Sequence, residues 1–303
     1  MLWRVGTSLA KGLAELGQQS LPVQPRWSLI ALSGVVFLLA HGVLVATWKT
    51  VLSCWDEHLP FWSAARVWSV SNLGRYVPGK IWQIGAMGAM ARELKVSAVA
   101  ASGSALLGTL VNIAAGFLVA LVSGRTLLLT RVPSGMRALA VVVVISAGAS
   151  LVLLPFAIPR LAPIAGRILR RRVEATLPVR AVVYSLVGNV LAWLVYGLAF
   201  EIFVAGVLGH ASGAYPTYLA AYTSSYLIGY IFLFAPAGVG FRETAMLELL
   251  QVAGLAAHPE AALVTVTSRI WLTVLEVVPA LIFWTHHRMR RRLTTLDRSD
   301  AQS

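Results

Sequence analysis

The residues of this chain whose types could do chemistry are charged side chains that lie in or beside long apolar stretches. Four of them are cations, namely Arg75, Lys80, Arg242 and Arg269. A charge at the centre of a membrane-spanning helix costs about 2.5–3.5 kcal/mol on insertion scales, so it normally faces a cavity or a partner. Such cations can bind an anion, and a lipid phosphate is the candidate ligand. For Arg75 and Lys80, snorkelling to lipid headgroups is an equal alternative.

Three carboxylates accompany these cations: Glu201, Glu243 and Glu276. Glu276 lies seven residues after Arg269, which is two turns along the same helical face, and Glu243 adjoins Arg242. Two interpretations stay open. Either the charges form internal ion pairs that fix the register of the helices, or they build an anion site in which the carboxylates pair or couple with the cations.

Two apolar segments, Phe61–Ala91 and 234–251, are interrupted by residues that break helices. Proline lacks an N–H and glycine permits non-helical backbone, so each helix should break at these residues and then restart. Broken backbone survives in hydrocarbon only where protein or a watery cavity satisfies it, and the N-terminus of a restarting helix can bind phosphate. The predicted broken-helix residues are Pro78, Gly79, Pro236, Gly238 and Gly240.

A stripe of tyrosines precedes the second interruption. Tyr222, Tyr226 and Tyr230 recur every four residues and so share one helical face. The stripe could line a path for a sugar or a headgroup. Packing, or a place in the aromatic belt of the bilayer, is the favoured interpretation.

The composition indicates the elements that must position these residues. The chain is 58 % hydrophobic and 12 % charged, with a mean hydropathy of +0.76, whereas soluble domains carry about 25 % charged residues. These values exclude an ordinary soluble domain and a disordered chain, and they predict an all-α polytopic membrane protein. Six stretches reach the roughly 20 residues that a spanning helix needs. They are Trp27–Trp48, Val96–Gly124, Ala138–Ile158, Ala181–Leu208, Tyr215–Ala235 and Ala261–Trp284. With the two interrupted segments, which form a weak internal repeat, we expect six to eight transmembrane helices.

The net charge of +13 is concentrated in four blocks outside the predicted spans. Residues 160–180 contribute +5, residues 286–303 and 124–137 contribute +3 each, and residues 1–28 contribute +2. Basic loops are typical of the cytoplasmic side and can contact anionic lipid headgroups. We therefore expect the C-terminus in the cytoplasm and membrane lipids as partners, and no nucleic acid.

Three domains are predicted. Residues 1–26 form an interfacial amphipathic segment, because leucines and a valine recur there at helical spacing between charges. Residues 27–286 form the transmembrane domain, and residues 287–303 form a basic cytoplasmic tail.

Charge alone leaves the topology of the first interrupted segment open. If Phe61–Ala91 is a hairpin, the two interrupted segments are inverted relative to each other and the N-terminus lies outside. If it is one broken crossing, the N-terminus lies inside. The second interrupted segment, within 215–256, must enter and leave on one face, because the basic blocks on either side of it share the cytoplasm.

No motif predicts an enzyme. The sequence holds no paired-carboxylate motif, P-loop, Gly-x-Ser-x-Gly or His-Glu-x-x-His, and its single cysteine, Cys54, excludes a cysteine-rich metal site. We expect no cofactor, no metal and no catalytic residue.

The segments Asn72–Gln83 and Pro236–Glu243 together resemble the paired signatures of the lysylphosphatidylglycerol synthase transmembrane-region family, also called the flippase-like domain family. The resemblance covers roughly residues 27–286. It departs from the family at Gly108, Thr109 and Asn112, where members carry Glu-Arg and then Asp, while Arg269 sits where members often have an intramembrane arginine.

The resemblance implies a stand-alone protein of the bacterial inner membrane that lacks the soluble aminoacyl-transferase domain. Its implied role is to move a phosphate-bearing lipid for cell-envelope and polysaccharide biosynthesis. The cargo is either an aminoacyl-phospholipid or a polyprenyl-phosphate-linked sugar. Two other roles stay open: a non-transporting partner of an envelope glycosyltransferase, or an integral-membrane transferase.

Overall fold

The computed structural model describes residues 24–77, 81–131, 177–232 and 238–300, with isolated positions between 137 and 160. Of residues 81 and 290–300 it describes the backbone alone. Almost all of the predicted interfacial segment 1–26 and most of the predicted span Ala138–Ile158 lie outside the described residues.

The described residues form α-helices and two short 3₁₀ helices, without strands, in agreement with the predicted all-α class. The 3₁₀ helices are Ser53–Trp55 and Leu73–Tyr76. The α-helices are α1 (Trp27–Leu52), α2 (Phe61–Asn72), α3 (Ile81–Glu93), α4 (Ala98–Ser123), α5 (Arg125–Arg131), α6 (Val179–Leu208), α7 (Tyr215–Ile231), α8 (Phe241–Val252) and α9 (His258–Asp300).

Four helical segments in the described part of the chain are long and apolar enough to cross a membrane: Trp27–Trp55, Ala98–Ser123, Val179–Leu208 and His258–Met289. The fold is thus that of an all-α membrane protein, while a count of six to eight spans is not confirmed. The predicted span Tyr215–Ala235 corresponds to α7, which has 17 residues. At 1.5 Å per residue this helix is about 26 Å long, a little less than the roughly 30 Å of a hydrocarbon core.

Local sequence explains where several helices begin and end. The Ser97 side chain accepts a hydrogen bond from the backbone N–H of Ala100 at 3.3 Å, which caps the start of α4. Helix α6 follows Pro178 and ends at Gly209, whose φ of +81° stops the helix in the left-handed conformation.

Helices α1 and α6 are antiparallel and define two faces of the bundle. On the first face, the Arg26 N–H donates to the Gly206 carbonyl at 2.7 Å. On the second face, Arg180 donates to the Cys54 carbonyl at 3.2 Å. Gly206 packs directly on Ile30, in the way that small residues let membrane helices approach closely.

Helices α2 and α3 form the first hairpin, which opens on the second face. At its open end the Ser97 N–H donates to Glu57 at 3.0 Å, and at its tip Gln83 donates to the Asn72 side chain at 2.7 Å. Its helices have 12 and 13 residues, about 18–20 Å each, and so are too short to span a bilayer. Of the two predicted topologies for Phe61–Ala91, the structure has the hairpin.

Helices α7 and α8 form the second hairpin, which opens on the first face, next to the end of α6. At its open end the Ser212 hydroxyl donates to the Leu255 carbonyl at 2.7 Å. Near its tip the rings of Phe232 and Phe241 stack with 3.6 Å between centroids. The second interrupted segment therefore enters and leaves on one face, as predicted, and the two hairpins enter from opposite faces.

Helix α9 crosses the bundle from the first face to the second. Near its start the Trp271 indole donates to Ser33 of α1 at 3.2 Å, and further along Phe283 meets Trp62 at the base of the first hairpin. The helix continues to Asp300, so the predicted domain boundary at residue 287 falls within it.

Each hairpin has its own apolar core. One buried cluster joins α1–α4 and includes Trp48, Val67 and Met87. A larger one joins α6–α9 and includes Phe203, Tyr218 and Leu250. The polar residues that separate these two cores line the candidate site.

Candidate functional site

The tips of the two hairpins meet beside α9 around a cavity with about 520 Å³ of space free of protein atoms, part of it open to the exterior. We call it the tip cavity. The first hairpin, the second hairpin and α9 all contribute to its lining: Arg75, Tyr76, Gln83, Tyr226, Gly229, Tyr230, Arg242, Arg269 and Glu276.

Arg75 joins the first tip to α9. Its guanidinium donates to Glu276 at 2.8 Å and to the Asn72 side chain at 2.5 Å, and the Tyr76 hydroxyl donates to the second oxygen of Glu276 at 2.8 Å. Both oxygens of this carboxylate are therefore engaged. Glu276 shares a face of α9 with Arg269, but its described ion-pair partner is Arg75, which reaches across from the first hairpin.

Glu243 holds the start of α8 and also pairs with α9. One of its oxygens accepts the Gly240 N–H at 2.6 Å, and the other lies 3.2 Å from Nε of Arg269. The restarting helix was expected to offer its N–H groups to a phosphate. The Gly240 N–H is instead satisfied by the carboxylate three residues on, in a capping arrangement.

Arg242 differs from the other two arginines of the tip cavity. It is buried, with 8 % of its surface exposed, and no carboxylate of the described residues lies within 4.0 Å of it. Its guanidinium carbon lies 5.6 Å from the Tyr222 ring centroid and 5.2 Å from that of Tyr226. Aromatic faces attract a cation without neutralising it, so its charge stays available to an anion.

The charges at the tips leave an excess of positive charge. Arg75 is matched by Glu276 and Arg269 by Glu243, while Arg242 has no carboxylate counterpart in the described part of the chain. A site with one net positive charge and neighbouring guanidinium donors suits a phosphate.

A second, larger cavity continues from the tip cavity into the bundle. We call it the inner cavity. It contains about 880 Å³ of space free of protein atoms, part of it open, and it shares Arg75, Gln83, Tyr226, Tyr230 and Glu276 with the tip cavity. Its other polar and aromatic lining residues come from α1, α2, α4, α6 and α7: Phe37, His41, Thr47, Trp48, Trp68, Asn72, Ser104, Thr109, Asn112, Ser185, Asn189, Trp193, Tyr196 and Tyr222.

The predicted site residues divide into four groups. The structure brings five together at the tips: Arg75, Arg242, Arg269, Glu243 and Glu276. Glu201 of α6 lines neither cavity, so it is not part of this site. Lys80, Pro78, Gly79 and Pro236 lie outside the described residues.

The remaining two predicted positions, Gly238 and Gly240, have φ values of +73° and +88°. These left-handed conformations interrupt the helix between α7 and α8, and glycine adopts them without steric cost. A Cβ at Gly238 would also lie only 2.7 Å from the Gly229 carbonyl oxygen.

The tyrosine stripe both packs and lines the cavities. Tyr222 belongs to the larger buried core and Tyr226 packs against it, in agreement with the favoured packing interpretation, while a path for a sugar or a headgroup stays a prediction. Tyr222, Tyr226 and Tyr230 all face the inner cavity, and Tyr226 and Tyr230 also reach the tip cavity. The rings of Tyr226 and Tyr230 stack with 6.2 Å between centroids.

Sequence reasoning missed the neutral polar residues of the inner cavity. Asn112, Asn189 and His41 each lie in an otherwise apolar spanning helix, which is the signal that could have revealed them. Asn72 and Gln83 are the first and last residues of the first signature segment, and they hydrogen-bond to each other. Because they lie 11 residues apart in the sequence, local spacing does not predict that contact.

The comparisons with known proteins assign no family. No protein-family model matches the chain, and no curated protein matches it. The resemblance stated from the two signature segments therefore stays a prediction.

Proposed function

We propose that this protein moves a phosphate-bearing lipid between the leaflets of the bacterial inner membrane, in the service of cell-envelope biogenesis. The observation that carries the proposal is Arg242. It is a buried arginine without a carboxylate counterpart among the described residues, and it lies where the tips of two hairpins from opposite faces meet.

The arrangement of the hairpins supports a path from both faces. The first hairpin opens on the second face and the second hairpin opens on the first, and both contribute residues to the charged cluster of the tip cavity. Paired interrupted helices that meet near the midplane are the typical binding site of secondary transporters. Movement of one tip at a time would expose the arginines alternately to each face.

The lipid phosphate would bind to Arg242, with Arg75 and Arg269 as neighbouring donors. Both of these are already neutralised, so their part is to orient the phosphate, whereas Arg242 supplies the attraction. The protein performs no bond-making or bond-breaking step in this scheme, and no residue is given a catalytic role.

The distribution of basic blocks supports an orientation with the C-terminus in the cytoplasm. The block 160–180 reaches the second face at Arg180, and α9 carries the tail to the same face. Together these blocks hold +8, whereas the blocks 1–28 and 124–137, which reach the first face, hold +5. The positive-inside rule then places the second face in the cytoplasm.

The test is lipid exchange in proteoliposomes. Purified protein would be reconstituted with acyl-labelled phosphatidylglycerol or labelled polyprenyl phosphate, and a membrane-impermeant quencher would report the lipid that reaches the outer leaflet. Arg242→Gln should slow exchange at least tenfold. The matched control is Arg92→Gln, which removes an exposed arginine at the end of α3 and should leave the rate unchanged.

Absence of exchange with several anionic lipids would sink the proposal and favour the non-transporting partner of a glycosyltransferase. Turnover of a lipid-linked substrate by the purified protein would favour the integral-membrane transferase.

A further inference from the structure

We infer that the inner cavity receives a neutral, polyhydroxylated headgroup, a sugar joined to the phosphate, and not a cationic aminoacyl headgroup. The inference rests on the proposed function, because it takes the phosphate to be held at the tips. It identifies the class of cargo that the neighbouring cavity fits.

The charges of the two cavities disfavour a cationic headgroup. Their described lining contains three arginines, Arg75, Arg242 and Arg269, against one carboxylate, that of Glu276, while Glu243 beside the lining is paired with Arg269. Both oxygens of the Glu276 carboxylate already accept hydrogen bonds, from Arg75 and Tyr76. An ammonium group entering here would meet guanidinium groups and find no free counterion in the described lining.

Aromatic faces could in principle take the place of a carboxylate for an ammonium group. In the tip region, however, the rings of Tyr222 and Tyr226 already lie under the guanidinium of Arg242, at 5.6 and 5.2 Å. A second cation on the same rings would lie close to the first and be repelled by it. The rings of Tyr222 and Tyr226 are therefore better suited to an uncharged group.

The neutral polar side chains of the inner cavity are held in place by hydrogen bonds, but some of their acceptor atoms remain available to a ligand. The Asn112 amide donates to the Asn189 side-chain oxygen at 2.8 Å, and Asn189 donates to the Ser185 carbonyl at 2.7 Å. This chain holds both amides in one orientation. The side-chain oxygen of Asn112 accepts no hydrogen bond from the described residues, so it can accept one from a ligand hydroxyl.

Gln83 presents a second acceptor nearer the phosphate site. Its amide donates to the Asn72 side chain at 2.7 Å, and its own side-chain oxygen accepts no hydrogen bond from the described residues. Gln83 lines both the tip cavity, which holds the arginines, and the inner cavity, which holds the neutral amides. A sugar phosphate presents the same order of groups, an anion followed by hydroxyls.

The indole rings of the inner cavity are held rigidly. Trp48 donates to the Ser104 hydroxyl at 2.9 Å, and Trp193 donates to the Asn112 carbonyl at 3.1 Å. With their N–H groups satisfied, the two indole rings are held in place in the lining of the inner cavity. Aromatic faces carry partial negative charge and pack well against the C–H groups of a sugar ring.

The inner cavity and the tip cavity share five lining residues, Arg75, Gln83, Tyr226, Tyr230 and Glu276. The two cavities are therefore neighbours, and one ligand can reach from the phosphate site at the tips into the inner cavity.

The experiment compares three lipids in the same proteoliposome assay: a polyprenyl-phosphate-linked hexose, phosphatidylglycerol and lysyl-phosphatidylglycerol. We expect the sugar-linked lipid to exchange at least tenfold faster than the lysyl lipid. Soluble hexose 1-phosphate, added as a competitor, decides the source of the headgroup. Inhibition at millimolar concentration means that a free sugar phosphate suffices, and its absence means that the lipid anchor is required.

Two variants probe the amide chain. Asn112→Asp should slow exchange of the sugar-linked lipid at least tenfold and narrow its advantage over the lysyl lipid, because it offers the cation a carboxylate. Asn112→Leu should slow the sugar-linked lipid alone. Gln251→Glu is the matched control: it makes the same amide-to-carboxylate change on α8, outside both cavities, and should change nothing. Size-exclusion profiles and melting temperatures in detergent establish that each variant folds.

The outcomes separate this inference from the proposed function. Equal exchange of all three lipids, abolished by Arg242→Gln and insensitive to both Asn112 variants, overturns the inference and leaves the proposed function standing. Faster exchange of the lysyl lipid also overturns it. Failure of all three lipids to exchange removes the proposed function and the inference together.

Discussion

The two hairpins have the same architecture but neutralise their tip arginines differently. In the first hairpin, Arg75 is paired with Glu276 of α9 and hydrogen-bonded to its own neighbour Asn72. In the second, Arg242 rests on two tyrosine faces without a carboxylate in the described part of the chain, and the adjacent Glu243 pairs elsewhere. The arginine of the first tip is neutralised by a carboxylate, whereas the arginine of the second tip pairs with no carboxylate of the described residues.

This difference assigns separate tasks to the two tips. An arginine that is neutralised by a partly buried carboxylate fastens one element to another, and removing one member leaves the other uncompensated. A buried arginine that packs on aromatic rings and pairs with no described carboxylate retains its charge for a ligand. We therefore expect Arg75 to contribute mainly to stability and Arg242 mainly to binding.

The largest expected effect concerns the opposite entry of the hairpins. A cysteine at the base of one hairpin should be fully labelled from outside the cell, and a cysteine at the base of the other should not be labelled at all. His58 and Ala211 are exposed residues at the bases of the first and second hairpins. In a Cys54→Ala background, Ala211→Cys should react with an impermeant maleimide from outside intact cells, and His58→Cys only after permeabilisation.

The native thiol of Cys54 is a poor reporter for this purpose, because its residue is buried in the second-face end of the bundle. Labelling of both introduced cysteines from the same side would contradict the opposite entry of the hairpins, and with it the comparison between them.

The next effect separates the two arginines by stability. Arg75→Gln should lower the free energy of unfolding by about 3 kcal/mol, since it leaves the Glu276 carboxylate without its charged partner. Adding Glu276→Gln should restore most of the loss. Arg242→Gln should change stability by less than about 1 kcal/mol, because no ion pair is broken.

Chemical unfolding of the three variants in detergent measures the difference. If Arg242→Gln were the more destabilising change, the second tip would be fastened by its arginine, and the division of tasks would be wrong.

Smaller losses are expected where the two tips pack most tightly. A Cβ at Gly74 would lie 2.8 Å from the Gln83 backbone nitrogen, and one at Gly229 would lie 2.8 Å from the Arg242 Cβ. Each alanine substitution should cost about 1–3 kcal/mol through overpacking. Gly85→Ala, on α3 with open space around it, is the control and should be neutral or slightly stabilising.

Lipid exchange distinguishes these two glycine variants further. Gly229→Ala displaces Arg242 directly and should slow exchange by more than its loss of stability explains, whereas Gly74→Ala should not.

Much of the fold follows from sequence because burial in lipid imposes length and composition. The four long helices α1, α4, α6 and α9 were all predicted as spans, and the interruption around Gly238 and Gly240 was predicted from backbone chemistry. Whether a short apolar segment turns back or crosses depends on contacts between residues far apart in sequence. The hydrogen bond from Ser97 to Glu57, 40 residues away, is one such contact, and no local pattern reveals it.

The candidate site was predictable as a set of residues but not as a set of pairs. Charges in apolar sequence are costly, so they identify themselves. Helical spacing suggested partners on the same helix, yet Glu276 pairs with Arg75, 201 residues away, and Arg269 with Glu243. The inner cavity was missed because its amides and hydroxyls carry no charge and stand singly among apolar residues.

The smallest expected effect tests how much the ion pair between Glu243 and Arg269 stabilises the second tip. Glu243 does two things, accepting the Gly240 N–H and pairing with Arg269. Glu243→Gln keeps a side-chain oxygen for the N–H and loses only the ion pair. That pair is as buried as the pair of Arg75 and Glu276 but longer, 3.2 Å against 2.8 Å, so its loss should cost about 1–2 kcal/mol, less than Arg75→Gln. Glu243→Ala also loses the cap and should cost about 1 kcal/mol more.

The same pair of variants also affects lipid binding. Because Glu243→Gln leaves Arg269 without its carboxylate partner, it adds a second net positive charge at the tips and should strengthen the binding of an anionic lipid. Unfolding curves and lipid exchange on the two variants measure both effects. A loss with Gln as large as that of Arg75→Gln would mean that the two tips are stabilised alike by their ion pairs.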